Sequence, residues 1–174
     1  VKETGCGISG ETARQCWGAG VSAIDIGGWG GTSWAAVESI RADESRNERD
    51  KRLKTLGEAF TGWGIPTVVS LAEVLASGGP VIASGGVRSG LDIAKSLAFG
   101  ADLCGMALPF LKPAMESEEA LDRTIGALHQ ELTAAMFLTG SARIADLRKA
   151  KLFIQGRTRQ MIDKDNPARV RKYQ

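Results

Sequence analysis

The chain has 174 residues, of which 43% are hydrophobic and 24% charged, and its formal net charge is +2. This balance is typical of a globular protein and excludes a disordered or collagen-like chain. So small a net charge argues against nucleic acid or an anionic membrane as a partner. No apolar run approaches the roughly 18 residues of a membrane span, and the first residues lack the features of a signal peptide. We therefore expect a cytoplasmic protein.

The first elements are those of an α/β protein. Residues 1–3 are predicted to end a strand that begins upstream, so the sequence is expected to start within a fold. A helix is predicted over 9–19. Residues 21–27 form an unpatterned apolar run, which is typical of a strand buried on both faces of a parallel sheet.

Residues 41–56 mix charges of both signs and contain almost no apolar side chains. Such a segment can bury little surface, so we expect a mobile loop. The functional interpretation is a lid that closes over a ligand. The alternative is a solvated segment without a role.

The second half continues the alternation. Pro66 is predicted to lie in the first turn of a helix whose inward face carries Val68, Leu71, Ala72 and Leu75. The further elements predicted are strands over 80–86 and 102–107, helices over 89–100, 118–139 and 141–149, and a polar tail over 155–174.

Alternating strands and helices indicate a parallel sheet with helices outside it. Both a doubly wound sheet and a (β/α)₈ barrel satisfy this pattern. A barrel typically takes about 250 residues, so four strands in this chain would be half of one.

Glycine turns follow two successive strands. Gly85, Gly86 and Val87 precede a helix N-terminus, where backbone N–H groups favour an anion, and Arg88 adds a charged donor. A second turn comes one unit later, at 105–108. Barrels commonly bind phosphate with the last two strand–helix loops, so this pair predicts a phosphate site.

Several motifs together resemble the type 2 isopentenyl-diphosphate isomerase family. They are Val-Lys-Glu-Thr-Gly at 1–5, Asp-Ile-Gly-Gly-Trp-Gly-Gly-Thr at 25–32, Ala-Ser-Gly-Gly-Val-Arg at 83–88 and Gly-Ala-Asp-Leu-Cys-Gly-Met-Ala at 100–107. The resemblance runs from residue 1 to about 154 and corresponds to the C-terminal half of the family's FMN-binding (β/α)₈ barrel.

The resemblance implies an enzyme that interconverts isopentenyl and dimethylallyl diphosphate with reduced FMN and Mg²⁺, with NAD(P)H as the reductant. It also implies a homo-oligomer. Carried over to this sequence, Lys2 would lie beside the flavin N1/O2 edge and would be the catalytic residue. The other implied FMN contacts are Thr32, the phosphate cradle Gly85, Gly86, Val87 and Arg88, and the neighbouring amides of Ala107 and Leu108.

This sequence also departs from the family. The family's His-x-Asn-x-x-Gln-Glu stretch, which carries substrate and metal groups, belongs upstream and does not occur here. We therefore expect no metal ligand in this chain, a partner in the missing N-terminal half, and no activity from these residues alone. The alternatives are another FMN-dependent barrel oxidoreductase, which typically needs a histidine near the flavin, and a non-catalytic flavin- or phosphate-binding half-barrel.

Other candidate residues remain ambiguous in the sequence. Asp25 and Glu3 could form an acid/base pair or could orient a lysine and backbone groups. Trp29 and Trp34 could cover a ligand or pack in the core. His129, the single histidine, is expected to be structural. The three cysteines, which show no Cys-x-x-Cys spacing, predict neither a disulfide framework nor a zinc site, and the basic cluster over 143–157 is expected to be a solvated helix face.

Overall fold

The computed structural model describes residues 1–43 and 48–165. Within them lie three β-strands and nine α-helices. The strands are β1 (Ile24–Asp25), β2 (Val81–Ala83) and β3 (Leu103–Cys104). The helices are α1 (Gly10–Gly18), α2 (Trp34–Asp43), α3 (Glu48–Phe60), α4 (Thr67–Ser77), α5 (Gly90–Phe99), α6 (Leu108–Glu116), α7 (Glu118–Leu138), α8 (Ile144–Leu147) and α9 (Gly156–Asp165).

The sheet is parallel, and its strands are neighbours in chain order. Ile24 of β1 lies opposite Val81 of β2, and β2 pairs in turn with β3. Lys2 adds a parallel bridge to Asp25, which places residues 1–3 on the outer side of β1. Because right-handed crossovers between consecutive strands put all their helices on one face, this order is that of a barrel arc. A doubly wound sheet would reverse its strand order.

The core lies between the strands and their helices. The buried apolar side chains of the strands and their ends contact those of α4 and α1; the largest of those that are fully buried are Ile24, Ile26, Leu71, Val74 and Val81. A second, smaller cluster joins α5 to α8 through Leu97 and Leu147. The apolar runs over 21–27 and 80–86 contain strands, as predicted, but helices cover only one face of them here. Ile24, Val81 and Ala83 are buried, whereas Asp25 and Ile82 are only partly buried.

Serine side chains begin three of the predicted helices. The Oγ atoms of Ser9, Ser89 and Ser117 accept the N–H groups of Thr12, Asp92 and Ala120, respectively. Each bond satisfies one of the backbone donors that the first helical turn leaves without a partner. These caps confirm the predicted helices over 9–19, 89–100 and 118–139 to within two residues at each end.

The segment 41–56, predicted as a mobile loop, is helical in its described residues: 41–43 end α2 and 48–56 belong to α3. Residues 44–47 lie outside the described residues. The two helices pack on each other closely enough that a Cβ at Gly57 would lie 2.6 Å from the Ala35 carbonyl oxygen. The Ser39 hydroxyl also donates to the Lys54 carbonyl. Contact between the helices, and not an apolar stripe, therefore orders this charged segment.

Two further details differ from the expectations. Val68 is exposed, and its neighbour Val69 is buried instead, because α4 starts at Thr67. The segment predicted as a polar tail contains α9, whose Ile162 packs into the core; residues 166–174 lie outside the described residues.

None of the described helices has the length and apolar character that crossing a membrane requires.

Candidate functional site

A cleft of about 480 Å³ opens where residues 1–3, β1, β2 and β3 end. We call it the strand-end cleft. All eight residues predicted from the sequence line it: Lys2, Thr32, Gly85, Gly86, Val87, Arg88, Ala107 and Leu108. The carboxyl ends of parallel strands meet at one edge, which is why residues from four separate loops converge here. The roles of these residues remain predictions.

Backbone packs directly on backbone along one wall of the cleft. Gly85 and Gly86 have φ of +97° and +80°, in the left-handed region. A Cβ at Gly85 would lie 2.0 Å from the Gly28 carbonyl oxygen, and one at Gly86 would lie 2.3 Å from the Gly30 carbonyl oxygen. Glycine is therefore required at both positions by conformation and by space.

The amides at this wall suit an anion. Within the described part of the chain, the N–H groups of Gly86 and Val87 have no protein acceptor. At the start of α6, Pro109 has no N–H and the Phe110 N–H donates to the Ala107 carbonyl oxygen at 3.0 Å, so within the described residues the N–H groups of Ala107 and Leu108 are the open donors there. At α5, in contrast, the Gly90 N–H already donates to the Glu131 carboxylate at 2.6 Å. The open donors thus belong to the glycine turn and to α6.

Arg88 ties the two glycine loops together. Its guanidinium donates to the Gly30 carbonyl oxygen at 3.0 Å, and its backbone N–H donates to Asp92. The side chain is exposed at the cleft. A guanidinium carries five N–H donors, so one bond to Gly30 leaves donors for a ligand.

Lys2, Asp25 and Ser84 form a closed network on the floor of the cleft. The Lys2 ammonium donates to Asp25 Oδ2 at 2.8 Å and to Ser84 Oγ at 3.1 Å. The Ser84 hydroxyl donates to Asp25 Oδ1, as does the Gly27 N–H at 3.3 Å. Asp25 therefore orients the lysine, which is the second of the two roles that the sequence left open.

Glu3 turns away from this network and holds a loop. Its Oε2 atom accepts the N–H groups of Gly5, Cys6 and Gly7 at 2.6, 2.6 and 3.0 Å. Partial burial opposes ionisation, but these backbone donors outweigh it and lower the pKa of Glu3 from its usual 4.5. Glu3 is thus a structural anion and does not pair with Asp25.

Glu3 should make stability depend on acid pH. Because its pKa is lower in the folded state than in the unfolded chain, its ionisation stabilises the fold above about pH 4.5 and ceases to do so as the pH falls through the folded pKa. We expect Glu3→Gln to reduce the free energy of unfolding at pH 7 by about 1–2 kcal/mol. Urea denaturation at several pH values measures this, with exposed Glu58→Gln as the control. A deficit equally large well below pH 4 would contradict the prediction.

The remaining ambiguous residues lie outside the cleft. His129 is exposed on α7. Trp29 packs against Gly64, and Trp34 donates its indole N–H to the Thr4 carbonyl oxygen. Arg148, from the basic cluster, pairs with Asp102 at 2.7 Å. None of these residues lines the strand-end cleft.

The cysteines are free thiols, and they too lie away from the cleft lining. Burial raises the pKa of Cys104 to about 11. Its thiol is therefore neutral at physiological pH and is a poor nucleophile.

A larger cavity of about 660 Å³ lies between α2 and α3. Leu53, Leu56 and Phe60 line it, and two of its charged residues, Glu38 and Arg41, pair with each other at 2.7 Å. It lacks the glycine turns and open amides of the strand-end cleft, so the strand-end cleft is the candidate site. Among residues 1–43 and 48–165, no group of three His, Cys, Asp or Glu side chains is arranged to hold a metal ion.

Comparison with known sequences places this arrangement in a family. A profile of the FMN-dependent dehydrogenases matches residues 7–154. The chain belongs to the FMN-dependent dehydrogenase family. One curated relative is the isopentenyl-diphosphate delta-isomerase of Methanoregula boonei. It is 70% identical to this chain over 168 residues, which cover 97% of this chain and 46% of the relative. The enzyme of the same name from Halobacterium salinarum is 48% identical over 163 residues, covering 94% of this chain and 44% of the relative. The chain thus spans less than half the length of these relatives.

Solved structures of other proteins show the fold of this FMN-dependent dehydrogenase family member. A mandelate oxidase superposes with a TM-score of 0.56 at 22% identity, over 82% of this chain and 37% of the oxidase. The inosine 5′-monophosphate dehydrogenase of Legionella pneumophila gives a TM-score of 0.56 at 19% identity, over 86% of this chain and 54% of the dehydrogenase. Both are (β/α)₈ barrels, and this confirms the predicted fold class.

Sequence reasoning missed Ser84 as a site residue. It precedes the glycine turn, and its position at a strand end was the available signal. Its contact with Lys2, 82 residues away in the chain, was not visible.

Proposed function

We propose that this chain is the cofactor-binding half of an FMN-dependent isopentenyl-diphosphate delta-isomerase. The observation that carries the proposal is the 70% identity to a relative of that name over 168 of the 174 residues. The relative is about twice as long as this chain, so the activity is proposed for the complete protein.

The cleft fits FMN in size and in donors. Its volume of about 480 Å³ lies in the ordinary range for cofactor sites. The phosphate would meet the amides of Gly86 and Val87, the guanidinium of Arg88, and the amides of Ala107 and Leu108. Gly85 supports this approach because its backbone packs without a side chain in the way. Thr32 and Lys2 also line the cleft, and the flavin ring would lie beside them.

In this proposal, the chain's own residues bind FMN and stabilise charge on its ring. Bound in its reduced form, FMN would supply proton transfer for shifting the substrate's double bond. Lys2 would hold a positive charge beside the N1/O2 edge of the ring, where it stabilises negative charge. Arg88 and the amides would bind the phosphate and so fix the position of FMN in the cleft. No general acid or base is assigned to this chain.

The further parts of the proposed enzyme are assigned as follows from the family resemblance. Mg²⁺ and the main substrate contacts are assigned to the N-terminal half of the barrel, and NAD(P)H to the reduction of the flavin. Residues 1–154 would form the barrel half and 155–174 its C-terminal extension. The proposed assembly is a cytoplasmic homo-oligomer whose substrates are isopentenyl and dimethylallyl diphosphate. The segment 41–56 remains a candidate lid, now as a helical hairpin.

The proposal is tested on the complete natural polypeptide that contains this sequence. Its intact denatured mass should be about twice 18.4 kDa. Loaded with FMN, reduced, and supplied with Mg²⁺ and isopentenyl diphosphate, it should form dimethylallyl diphosphate. Flavin bleaching by a 2-hydroxy acid without isomerisation would indicate an oxidoreductase. Flavin binding with neither reaction would indicate a non-catalytic binding unit.

Arg88 should contribute strongly to FMN affinity. A charged hydrogen bond to phosphate contributes about 1.5–3 kcal/mol, so Arg88→Ala should raise the dissociation constant about 10- to 100-fold. Quenching of FMN fluorescence at fixed ionic strength measures this constant. Arg123→Ala, on the exposed side of α7, is the control and should leave it unchanged. An Arg88→Ala protein with the parent's affinity would show that the phosphate lies elsewhere.

A further inference from the structure

We propose that Ser84 is a positioning residue that, together with Asp25, fixes the ammonium of Lys2 in the strand-end cleft. The inference rests on the proposed function, since it takes FMN to lie beside Lys2. Nothing in the sequence motifs gives Ser84 this role, which arises from contacts between three neighbouring strand ends.

Lys2 needs support to act from a fixed point. Its side chain is 56% exposed, and a free lysine side chain has several rotatable bonds, so an unsupported ammonium would sample many positions. Two acceptors hold it instead, the Asp25 carboxylate at 2.8 Å and the Ser84 hydroxyl at 3.1 Å. Asp25 ends β1 and Ser84 follows β2, so the two acceptors approach from different strand ends and together fix both the place and the direction of the ammonium.

Ser84 is itself held. Its side chain is buried, with 5% of the residue exposed, and its hydroxyl hydrogen is committed to Asp25 Oδ1. A hydroxyl that donates in one direction offers its lone pairs in the others, and Lys2 meets one of them. The carboxylate of Asp25, 16% exposed, is fixed in turn by the Gly27 N–H. The acceptors are therefore ordered before any ligand arrives.

The network leaves one donor for a ligand. An ammonium has three N–H groups, and Asp25 and Ser84 occupy two of them. Gly105 keeps the space next to the network open, because a Cβ there would lie 3.2 Å from the Ser84 Cβ and 3.8 Å from Asp25 Oδ2. The third N–H is thus the one available to an electron-rich atom in the cleft.

Ser84→Ala tests this role without changing any charge. Asp25→Asn would remove the positioning contact and a negative charge together, and the two effects would oppose each other at the flavin. The backbone carbonyl of Ser84, which accepts the Gly28 N–H at 2.8 Å, is kept in the alanine variant. Ser84→Cys keeps the side-chain volume but offers only a weak hydrogen-bonding group, so it serves as the second variant.

The experiment uses the complete natural polypeptide loaded with FMN. It measures the FMN dissociation constant and the two-electron reduction potential in the parent, Ser84→Ala, Lys2→Met and the double variant. We expect Ser84→Ala to reduce the equilibrium constant for flavin reduction about tenfold, which is about 30 mV, with little change in FMN affinity. In the Lys2→Met background the same change should have no further effect, because the serine acts through the lysine. Ser39→Ala, at an equally buried serine in α2, should leave the potential unchanged.

The possible outcomes test the role of Ser84 separately from the proposed function. An unchanged potential in both Ser84→Ala and Ser84→Cys would overturn the inference. So would an equal shift with and without Lys2, because that would show an effect of packing alone. A parent protein that binds no FMN would overturn the proposed function and the inference together. FMN binding without isomerisation, combined with the Lys2-dependent shift, would overturn the proposed reaction and support the inference.

Discussion

Gly85→Ala is expected to disrupt the wall of the strand-end cleft by adding a single methyl group. The new Cβ would lie 2.0 Å from the Gly28 carbonyl oxygen and 2.5 Å from its nitrogen, and both are backbone atoms that no rotamer change can move away. The φ of +97° adds strain that an L side chain does not tolerate well. Left-handed strain and overpacking together should lower the free energy of unfolding by about 2–5 kcal/mol. This is a large part of the stability of a typical domain.

Urea denaturation of the complete polypeptide measures the loss of stability in Gly85→Ala. FMN titration measures how far the disrupted wall weakens FMN binding. Gly126→Ala is the matched control, because Gly126 lies inside α7 with nothing within 4 Å of its would-be Cβ. Alanine there should stabilise the helix by up to about 1 kcal/mol. Both variants add one methyl group, but Gly85→Ala should lower the free energy of unfolding and Gly126→Ala should raise it. Equal stabilities would mean that the β1 and β2 loops do not pack as described.

In the complete polypeptide, Lys2→Met is expected to reduce the kcat of the proposed isomerisation about 10²- to 10³-fold, the usual effect of removing one oriented electrostatic group. The substitution keeps the unbranched side chain and removes the charge from the cleft. The fold should survive, because Asp25 Oδ1 retains the Ser84 hydroxyl and the Gly27 N–H as donors. FMN should still bind through its phosphate, so the loss belongs mainly to kcat.

Two comparisons make this prediction specific. Lys95→Met removes the same charge from an exposed position on α5 and should leave kcat unchanged. Lys2→Arg keeps a positive charge with a larger, planar group and should recover part of the activity. A Lys2→Met enzyme with kcat within about threefold of the parent would remove Lys2 from the proposed chemistry, since that is well below the effect of an oriented charge.

Local patterns in the sequence predicted most of the barrel arc. The buried runs over 21–27 and 80–86 are strands because helices cover them on the outer face, and serine and glycine mark the helix ends as propensity predicts. The α2–α3 hairpin was missed, since its helices owe their order to contacts between them, such as Lys54 with Asp43 at 2.7 Å. Such contacts between two helices are not visible in the apolar and polar pattern of the sequence.

Two other misses have different physical causes. α6 begins Leu108-Pro109, and a second proline lies inside it, so the segment resembles a turn; the first proline is tolerated because the first helical turn leaves its N–H groups unpaired anyway. In the site, the glycine turns were visible because conformation restricts residue type locally. The contacts of Ser84 were not, because hydrogen bonds between distant side chains leave no local signature.

The Lys2 network also bears on the order of events during synthesis at the ribosome. Lys2 and Ser84 are 82 residues apart, and Asp25 and Ser84 are 59 apart. Lys2 therefore emerges from the exit tunnel long before β2 exists to receive it. The ammonium acquires its second acceptor only when translation has passed Ser84, so a nascent chain released before that residue has a sheet edge but lacks the floor of the strand-end cleft.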